Sequence, residues 1–378
     1  MSVWDRLVGQ PEVTAQLARA AAEDRPTHAW LFTGPPGSGR SEAARAFAAA
    51  LLCDSPEPSQ RGCGVCKSCQ TALSGSHADL THFTTENLQI RIEEARDLVV
   101  KAQDRPSVGR WRVIILEDAD RMPERTSNVL LKAIEEPPPH TIWLLTAPSP
   151  LDVLVTIRSR CRPVKLRVPS QQAVAEALVA SGVAAELAGQ CAALAQGNLD
   201  VARQLATSRE EFDRRNSVVR MPLGIRGISD AMAAAEKLIG ISDDAAEAVA
   251  AERNERERQE LMRTLGIEEG EKVNPSMRAQ LRNLEEDQKR RARRIKTDTL
   301  DRFLVDLQTF FRDVLTLQLG TGSALINAHL ADELAAYAQA RSSAKTLELL
   351  DSVALTRRRI STNASAKLAF EAMMASFL

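Results

Sequence analysis

One octapeptide constrains this chain more than any other feature. Gly34-Pro35-Pro36-Gly37-Ser38-Gly39-Arg40-Ser41 follows a short apolar run, Ala29-Trp30-Leu31-Phe32-Thr33, and opens an Ala-rich stretch from Ser41 to Leu52. An apolar run, a glycine loop and a helix in that order have the spacing of a phosphate-binding loop, G-x-x-x-x-G-K-[ST]. Gly34, Gly37 and Gly39 let backbone N–H groups turn inward onto phosphate oxygens, and the helix N-terminus adds positive potential. Ser41 stands where the hydroxyl would reach Mg²⁺. Arg40 stands where the motif has Lys. A guanidinium is planar and bulkier than an ammonium, so the exchange is not conservative at such a site.

Two further apolar runs extend the α/β pattern. Arg112-Val113-Ile114-Ile115-Leu116 closes on acids, Glu117-Asp118-Ala119-Asp120. Thr141-Ile142-Trp143-Leu144-Leu145-Thr146 stops at Pro148, and the helical pattern from Thr126 to Glu136 is ended by Pro137-Pro138-Pro139. Strands alternating with helices predict a parallel sheet with helices on both faces over residues 1–168. In P-loop ATPases an Asp at such a strand end holds Mg²⁺ and the next Glu polarises water. Here the order is Glu117 then Asp118, which leaves the water-polarising carboxylate one methylene short.

Beyond residue 168 the β-branched runs vanish. Pro169 to Leu205 reads as a small helical domain, assigned 169–207. The rest, 208–378, reads as a C-terminal helical domain. Within it the charged stretch 243–296 predicts two exposed helices, with a turn-like break from Gly266 to Pro275. Thr297 to Leu378 is apolar at helical spacing, as in Phe303, Leu304, Leu307, Phe310, Phe311 and Val314, and predicts a packed bundle.

Cys53, Cys63, Cys66 and Cys69 are spaced C-x9-C-x2-C-x2-C. Four grouped thiolates suit tetrahedral Zn²⁺ in a closed structural site within a module at 53–69. An iron–sulfur cluster is the competing reading, but nothing else points to redox chemistry. Cys161 and Cys191 stand alone and read as small buried hydrophobes.

Charge narrows the classes further. With 49 Lys plus Arg against 50 Asp plus Glu, the net charge of −1 argues against a dedicated polybasic nucleic-acid binder. The basic run from Lys289 to Arg294 is balanced by Glu285, Glu286 and Asp287. No apolar run is long enough to cross a membrane. The start, Met1-Ser2-Val3-Trp4-Asp5-Arg6, lacks the pattern of a secretory signal, so a cytoplasmic protein is expected.

Together these motifs resemble the AAA+ clamp-loader subunits of bacterial DNA polymerase III. The resemblance is carried by Val8-Gly9-Gln10, His28 to Phe32, the glycine loop, the four cysteines and the acidic strand end. It continues in Leu130-Leu131-Lys132-Ala133-Ile134-Glu135-Glu136-Pro137-Pro138 and in Ser159-Arg160-Cys161. It covers the first 205 or so residues well and the last 80 more weakly. Within the family the chain is most similar to the delta-prime type, and the charged insertion at 243–296 looks actinobacterial. The fold it implies is an α/β P-loop AAA+ domain with an inserted zinc module, a small helical lid and an all-α C-terminal collar.

The resemblance also implies roles. An active subunit carries Lys in the loop, Asp-Glu at the strand end, and a sensor Arg three residues after a Gly-Ser or Gly-Asn step. This chain has Arg40, Glu117-Asp118 and, after Gly197-Asn198, Asp200. Thr146 matches the polar sensor of the third strand. Gly34, Gly37, Gly39, Arg40, Ser41, Glu117, Asp118 and Thr146 thus form a degenerate nucleotide site, with ATP or ADP and Mg²⁺ left open. Ser159-Arg160-Cys161 is intact, so Arg160 would act in trans as an arginine finger. The implied function is a non-motor stator without ATPase or polymerase activity of its own. Its partners would be gamma/tau and delta subunits, the sliding clamp and, through the complex, primer-template DNA, with no membrane. The alternative is an ATP-hydrolysing gamma/tau-type motor.

Overall fold

The computed structural model describes residues 2–378 apart from 86, 88, 265–274 and 363. The chain forms two compact units, Met1–Thr207 and Ser208–Leu378.

The first unit is built on five parallel strands: β1 (Ala29–Thr33), β2 (Leu80–Phe83), β3 (Arg112–Leu116), β4 (Thr141–Ala147) and β5 (Arg162–Lys165), in the order β2-β3-β4-β1-β5. Every residue of β1 and β4 is buried. Strands covered by helices on both faces read as continuous apolar runs, which is why the central strands stand out in the sequence. Alternate side chains divide into two cores. Trp30, Phe32, Val113, Ile115, Ile142 and Leu144 pack on one face with Phe47 of the helix Arg40–Leu51. Leu31, Ile114, Leu116, Trp143 and Leu145 pack on the other with Leu98, Leu130, Ile134 and Ile157.

The helix Arg40–Leu51 is buried at Ala43, Ala44, Ala46, Ala48, Ala49 and Ala50. Small side chains let it lie between the sheet and the cysteine segment without crowding. β2 and β5 are the sheet edges, and neither is singled out by sequence pattern. β5 reads Arg-Pro-Val-Lys with only Val164 buried, and its Pro163 is tolerated because it lies on an edge. Three short helices, Gln171–Ala180, Ala185–Ala195 and Leu199–Thr207, complete the unit, with Cys191 fully buried among them.

The second unit is all helix among the described residues. Two long helices, Ile228–Thr264 and Pro275–Leu319, are 37 and 45 residues long. They are joined to each other by Arg291–Glu257 at 3.1 Å, Gln288 to the Asn254 carbonyl at 3.0 Å, and Lys296 with Asp243. Of the expected break from Gly266 to Pro275, residues 266–274 lie outside the described residues and Pro275 begins the second long helix. The change from charged to apolar composition near 296 falls inside one continuous helix. Its later half supplies Leu300, Phe303, Leu304, Leu307, Phe310, Phe311 and Val314 to the core. Phe310 meets Tyr337 edge-on at 5.2 Å and Phe311 meets Phe377 at 5.0 Å.

A buried polar cluster threads this core. Arg215 pairs with Asp306 at 3.0 Å and bonds Asn327 Oδ1 at 3.0 Å, and Asp313 accepts from the Asn327 and Ile326 N–H groups at 2.7 and 3.0 Å. Buried charges persist in such a place only when paired and hydrogen-bonded.

Candidate functional site

In register, Phe32 of β1 faces Thr146 of β4, and Leu116 of β3 faces Leu145. The glycine loop, the acidic strand end and Thr146 therefore meet at the carboxyl edge of the sheet, where open α/β folds bind ligands. Gly39 caps the helix Arg40–Leu51 in the left-handed region, at φ 79°. Gly37, at φ 83°, abuts Asn198 so closely that an added Cβ would lie 2.9 Å from the Asn198 Cβ. An added Cβ at Gly34 would lie 2.4 Å from Ser38 Oγ. Gln10 donates to the Ser38 carbonyl at 3.2 Å and ties the loop to the start of the chain.

A cavity of about 770 Å³ opens on this loop. It is lined by Gly37, Ser38, Gly39, Arg40 and Ser41, with Arg6, Arg45, Asn198, Asp200 and Arg203 around them. Gly34, Glu117, Asp118 and Thr146 do not line it. Among the described residues the buried Ser38 hydroxyl has no hydrogen-bond partner.

The charged groups are engaged with each other. Arg40 folds back across the loop, donating to the Gly34 carbonyl at 3.0 Å and lying 3.8 Å from Asp118. Asp118 also pairs with Arg121 at 3.4 Å. Its backbone is left-handed at φ 53°, and its N–H donates to Thr146 Oγ1 at 3.2 Å. The Ser41 hydroxyl donates to Glu117 Oε2 at 2.8 Å, while Glu117 Oε1 takes His82 Nε2 at 2.7 Å and has Arg45 at 3.6 Å. Burial works to raise the Glu117 carboxyl, but the His82 and Ser41 hydrogen bonds, with the Arg45 charge, hold it below the usual range. Asp120 is pushed up by burial and by the neighbouring Asp118.

Three of these residues carry no motif. His82 lies on the edge strand β2, and Arg45 lies about one turn after Ser41. Arg203 lies on the same helix as the exposed Asp200 and pairs with it at 3.8 Å. Helical phase alone, counted from Ser41 and Asp200, places both arginines on the cavity side.

The four cysteines converge beyond the C-terminal end of the helix Arg40–Leu51. Their sulfurs all lie within 4.8 Å of one another. Cys53 Sγ is 3.7 Å from Cys63 Sγ and 3.9 Å from Cys66 Sγ. A zinc tetrahedron with bonds of about 2.3 Å has edges of roughly 3.8 Å, so the cage fits that ion and leaves no open position. Cys66 N–H and Cys69 N–H donate to the sulfurs of Cys63 and Cys66 at 3.4 and 3.3 Å. Burial works to raise the Cys53 thiol, but backbone N–H groups around it, that of Cys63 foremost, lower it to about 7. Burial pushes Cys66 and Cys69 up. A bound cation reverses that penalty, since metal binding and thiol deprotonation are coupled.

Gly62, at φ 90°, lets the cysteine segment meet the chain start. Its carbonyl accepts from Val3 N–H and Ser2 Oγ, each at 3.0 Å. Cys161 and Cys191 are buried and are not members of the cysteine cluster, and burial raises Cys161 to about 12.

Arg160 stands apart from the cavity, after the short helix Val155–Arg158. Its guanidinium lies 3.0 Å from Glu135 Oε1 and donates to the Thr156 carbonyl at 2.9 Å. Buried Ile157 and Cys161 fix the backbone on either side.

Residues 9–170 match the family described as "DNA polymerase III, delta subunit", and residues 256–377 match "DNA polymerase III, delta subunit, C terminal". These two stretches thus carry domains of the DNA polymerase III delta-subunit family. DNA polymerase III subunit tau of Bacillus subtilis is 32% identical over 171 residues, 45% of this chain and 30% of that protein. DNA polymerase III subunit delta' of Pseudomonas aeruginosa is 39% identical over 136 residues, 35% of this chain and 41% of that protein. The chain therefore spans less than half the length of these curated relatives. A DNA polymerase III gamma subunit-related protein of Thermotoga maritima aligns over 96% of this chain and 97% of its own, with 15% identity and a TM-score of 0.45. Among the described residues no helix is long and apolar enough to cross a membrane.

Proposed function

We propose that this chain is the non-hydrolysing, delta-prime-type subunit of a DNA polymerase III clamp loader. In this reading Arg160 is an arginine finger for the ATP site of an adjacent gamma or tau subunit. Its partners are those subunits, the delta subunit and, through the assembled loader, the sliding clamp and primer-template DNA. The organisation that goes with it is an AAA+ domain over 1–168, a lid over 169–207 and a collar over 208–378.

One observation carries the reading: the strand-end carboxylates are engaged by the protein's own donors and cations. Glu117 accepts from the Ser41 hydroxyl on one oxygen and meets His82 and Arg45 on the other. A water-polarising acid needs an unneutralised oxygen, but Asp118 lies between the guanidinium groups of Arg40 and Arg121. Arg160 lies apart from this cluster, half-exposed, with its guanidinium on the exposed Glu135. A finger of this kind is worth about 10³ to 10⁵ in rate at the site that it completes.

Arg160→Ala is expected to leave assembly intact on size exclusion and to lower the ATPase of the reconstituted loader by the share of the adjoining site. Unchanged ATPase defeats the assignment. The motor reading draws on the likeness to tau over 171 residues. It predicts Mg²⁺-dependent ATP hydrolysis by the isolated chain, which the stator reading forbids.

A further inference from the structure

We infer that Glu135 parks Arg160, so that the arginine reaches a neighbour's phosphate groups only by breaking its pair with this chain's own carboxylate. This rests on the arginine-finger reading above.

The geometry is specific. Arg160 Nη2 lies 3.0 Å from Glu135 Oε1, Nη1 donates to the Thr156 carbonyl at 2.9 Å, and Nε is buried with no partner among the described residues. Both terminal nitrogens are thus committed within the chain. Glu135 is the last residue of the helix Glu124–Glu135, just before Pro137-Pro138-Pro139. A carboxylate at a helix C-terminus is disfavoured by the macrodipole, and the opposing arginine offsets that penalty. The backbone under Arg160 is held by buried Ile157 and Cys161, and by Arg158 donating to the Pro150 carbonyl at 2.8 Å. The side chains are free by comparison, at 35% exposure for Arg160 and 53% for Glu135.

The energetics favour release on contact. A carboxylate 3.0 Å from the guanidinium cancels its charge and repels an incoming phosphate. An exposed ion pair contributes at most about fivefold in an equilibrium, about 1 kcal/mol at 1.4 kcal/mol per decade. A phosphate takes both arms of an arginine in charge-assisted hydrogen bonds, which are stronger. The finger is therefore quenched in the free chain and is won over by a docked neighbour.

Glu135→Gln keeps the side-chain shape and removes the charge. In the reconstituted loader at low salt, the chain concentration giving half-maximal ATPase is expected to fall about two- to fivefold, with the saturating rate unchanged. The shift should shrink at high salt, where exposed pairs are screened. Glu135→Asp, which keeps the charge, should stay closer to the unmodified chain than Glu135→Gln does. If Arg160→Ala leaves the ATPase unchanged, the finger reading itself fails. If Arg160→Ala lowers it while Glu135→Gln leaves the half-maximal concentration unchanged or raises it, only the parking inference is overturned. A Glu135→Gln shift that persists in the Arg160→Ala background also overturns it, because Glu135 would then act through something else.

Discussion

Replacing Asp79 by Asn should destabilise the first unit by about 2 kcal/mol at neutral pH. Asp79 is fully buried at the entry to β2. Its Oδ1 accepts from the Ser107 N–H at 2.6 Å and the Ser107 hydroxyl at 2.8 Å, and its Oδ2 accepts from the Val108 and Gly109 N–H groups at 2.8 and 2.6 Å. The carboxylate thus pins the loop that feeds β3, the strand ending in Glu117. Burial works to raise the Asp79 carboxyl, but the N–H groups of Gly109, Ser107 and Val108 lower it from 3.8 to about 2. At about 1.36 kcal/mol per unit, a depression of roughly 1.8 units corresponds to about 2.4 kcal/mol. The folded pKa lies below the unfolded one, so this stability is present above about pH 4 and is lost as pH falls toward 2. Roughly half should be gone by pH 3. An Asn also turns an NH₂ group toward backbone donors, which lose a partner, so about 2 kcal/mol is the least that the exchange should cost. All four tryptophans, Trp4, Trp30, Trp111 and Trp143, lie in this unit, so tryptophan fluorescence in a urea titration reports on it alone. A difference below about 0.5 kcal/mol at pH 7, or a gap that does not narrow between pH 5 and pH 3, refutes the account.

Other consequences can be measured independently. Metal analysis of the purified chain should find about one zinc per chain, and Cys63→Ser should lose it; a folded chain without zinc, or an iron–sulfur absorption band, contradicts the cage. Gly62→Ala should cost about 1–3 kcal/mol in the same fluorescence titration, because φ is 90° and the new Cβ would lie 2.7 Å from Val3 Cγ2. An unchanged midpoint counts against that packing. Asp306→Ala leaves Arg215 buried and unpaired and should cost about 3–5 kcal/mol in the second unit. Helical circular dichroism should register that loss, and a cost under about 1 kcal/mol means that the pair is not desolvated as described.

How much of this was legible in the sequence follows from where each residue sits. β1, β3 and β4 announce themselves because burial on both faces leaves no room for polar residues. β2 and β5 do not, because an edge strand keeps half its surface wet. Leu-Thr-His-Phe and Arg-Pro-Val-Lys carry too few apolar positions to register as strands. The composition break near 296 is visible, but it marks a change in what the helix touches rather than the end of an element. The charged half of Pro275–Leu319 faces Asp243, Asn254 and Glu257, and the apolar half, through Phe310 and Phe311, faces Tyr337 and Phe377.

The site divides along the same line. Cysteines spaced by two residues can close on one ion through local backbone geometry alone, so their convergence is readable from spacing. The three apolar runs predict a parallel sheet, but the order β3-β4-β1 that brings the loop, the acidic strand end and Thr146 together is visible only in the fold. What spacing could not convey is occupancy. His82 reaches Glu117 only because β2 pairs with β3, in the register that sets His82 opposite Ile115. Arg40 reaches both Gly34 and Asp118 only through its rotamer. A lysine there would be a single compact charge able to follow a phosphate, whereas the arginine fork spans two acceptors inside the protein. The substitution that looks like a defect in the motif is thus also a contact that holds the loop to the acidic strand end. Arg40→Lys should accordingly loosen that link and lower the urea midpoint read by tryptophan fluorescence; an unchanged midpoint means that the arginine does not hold the loop to the strand end.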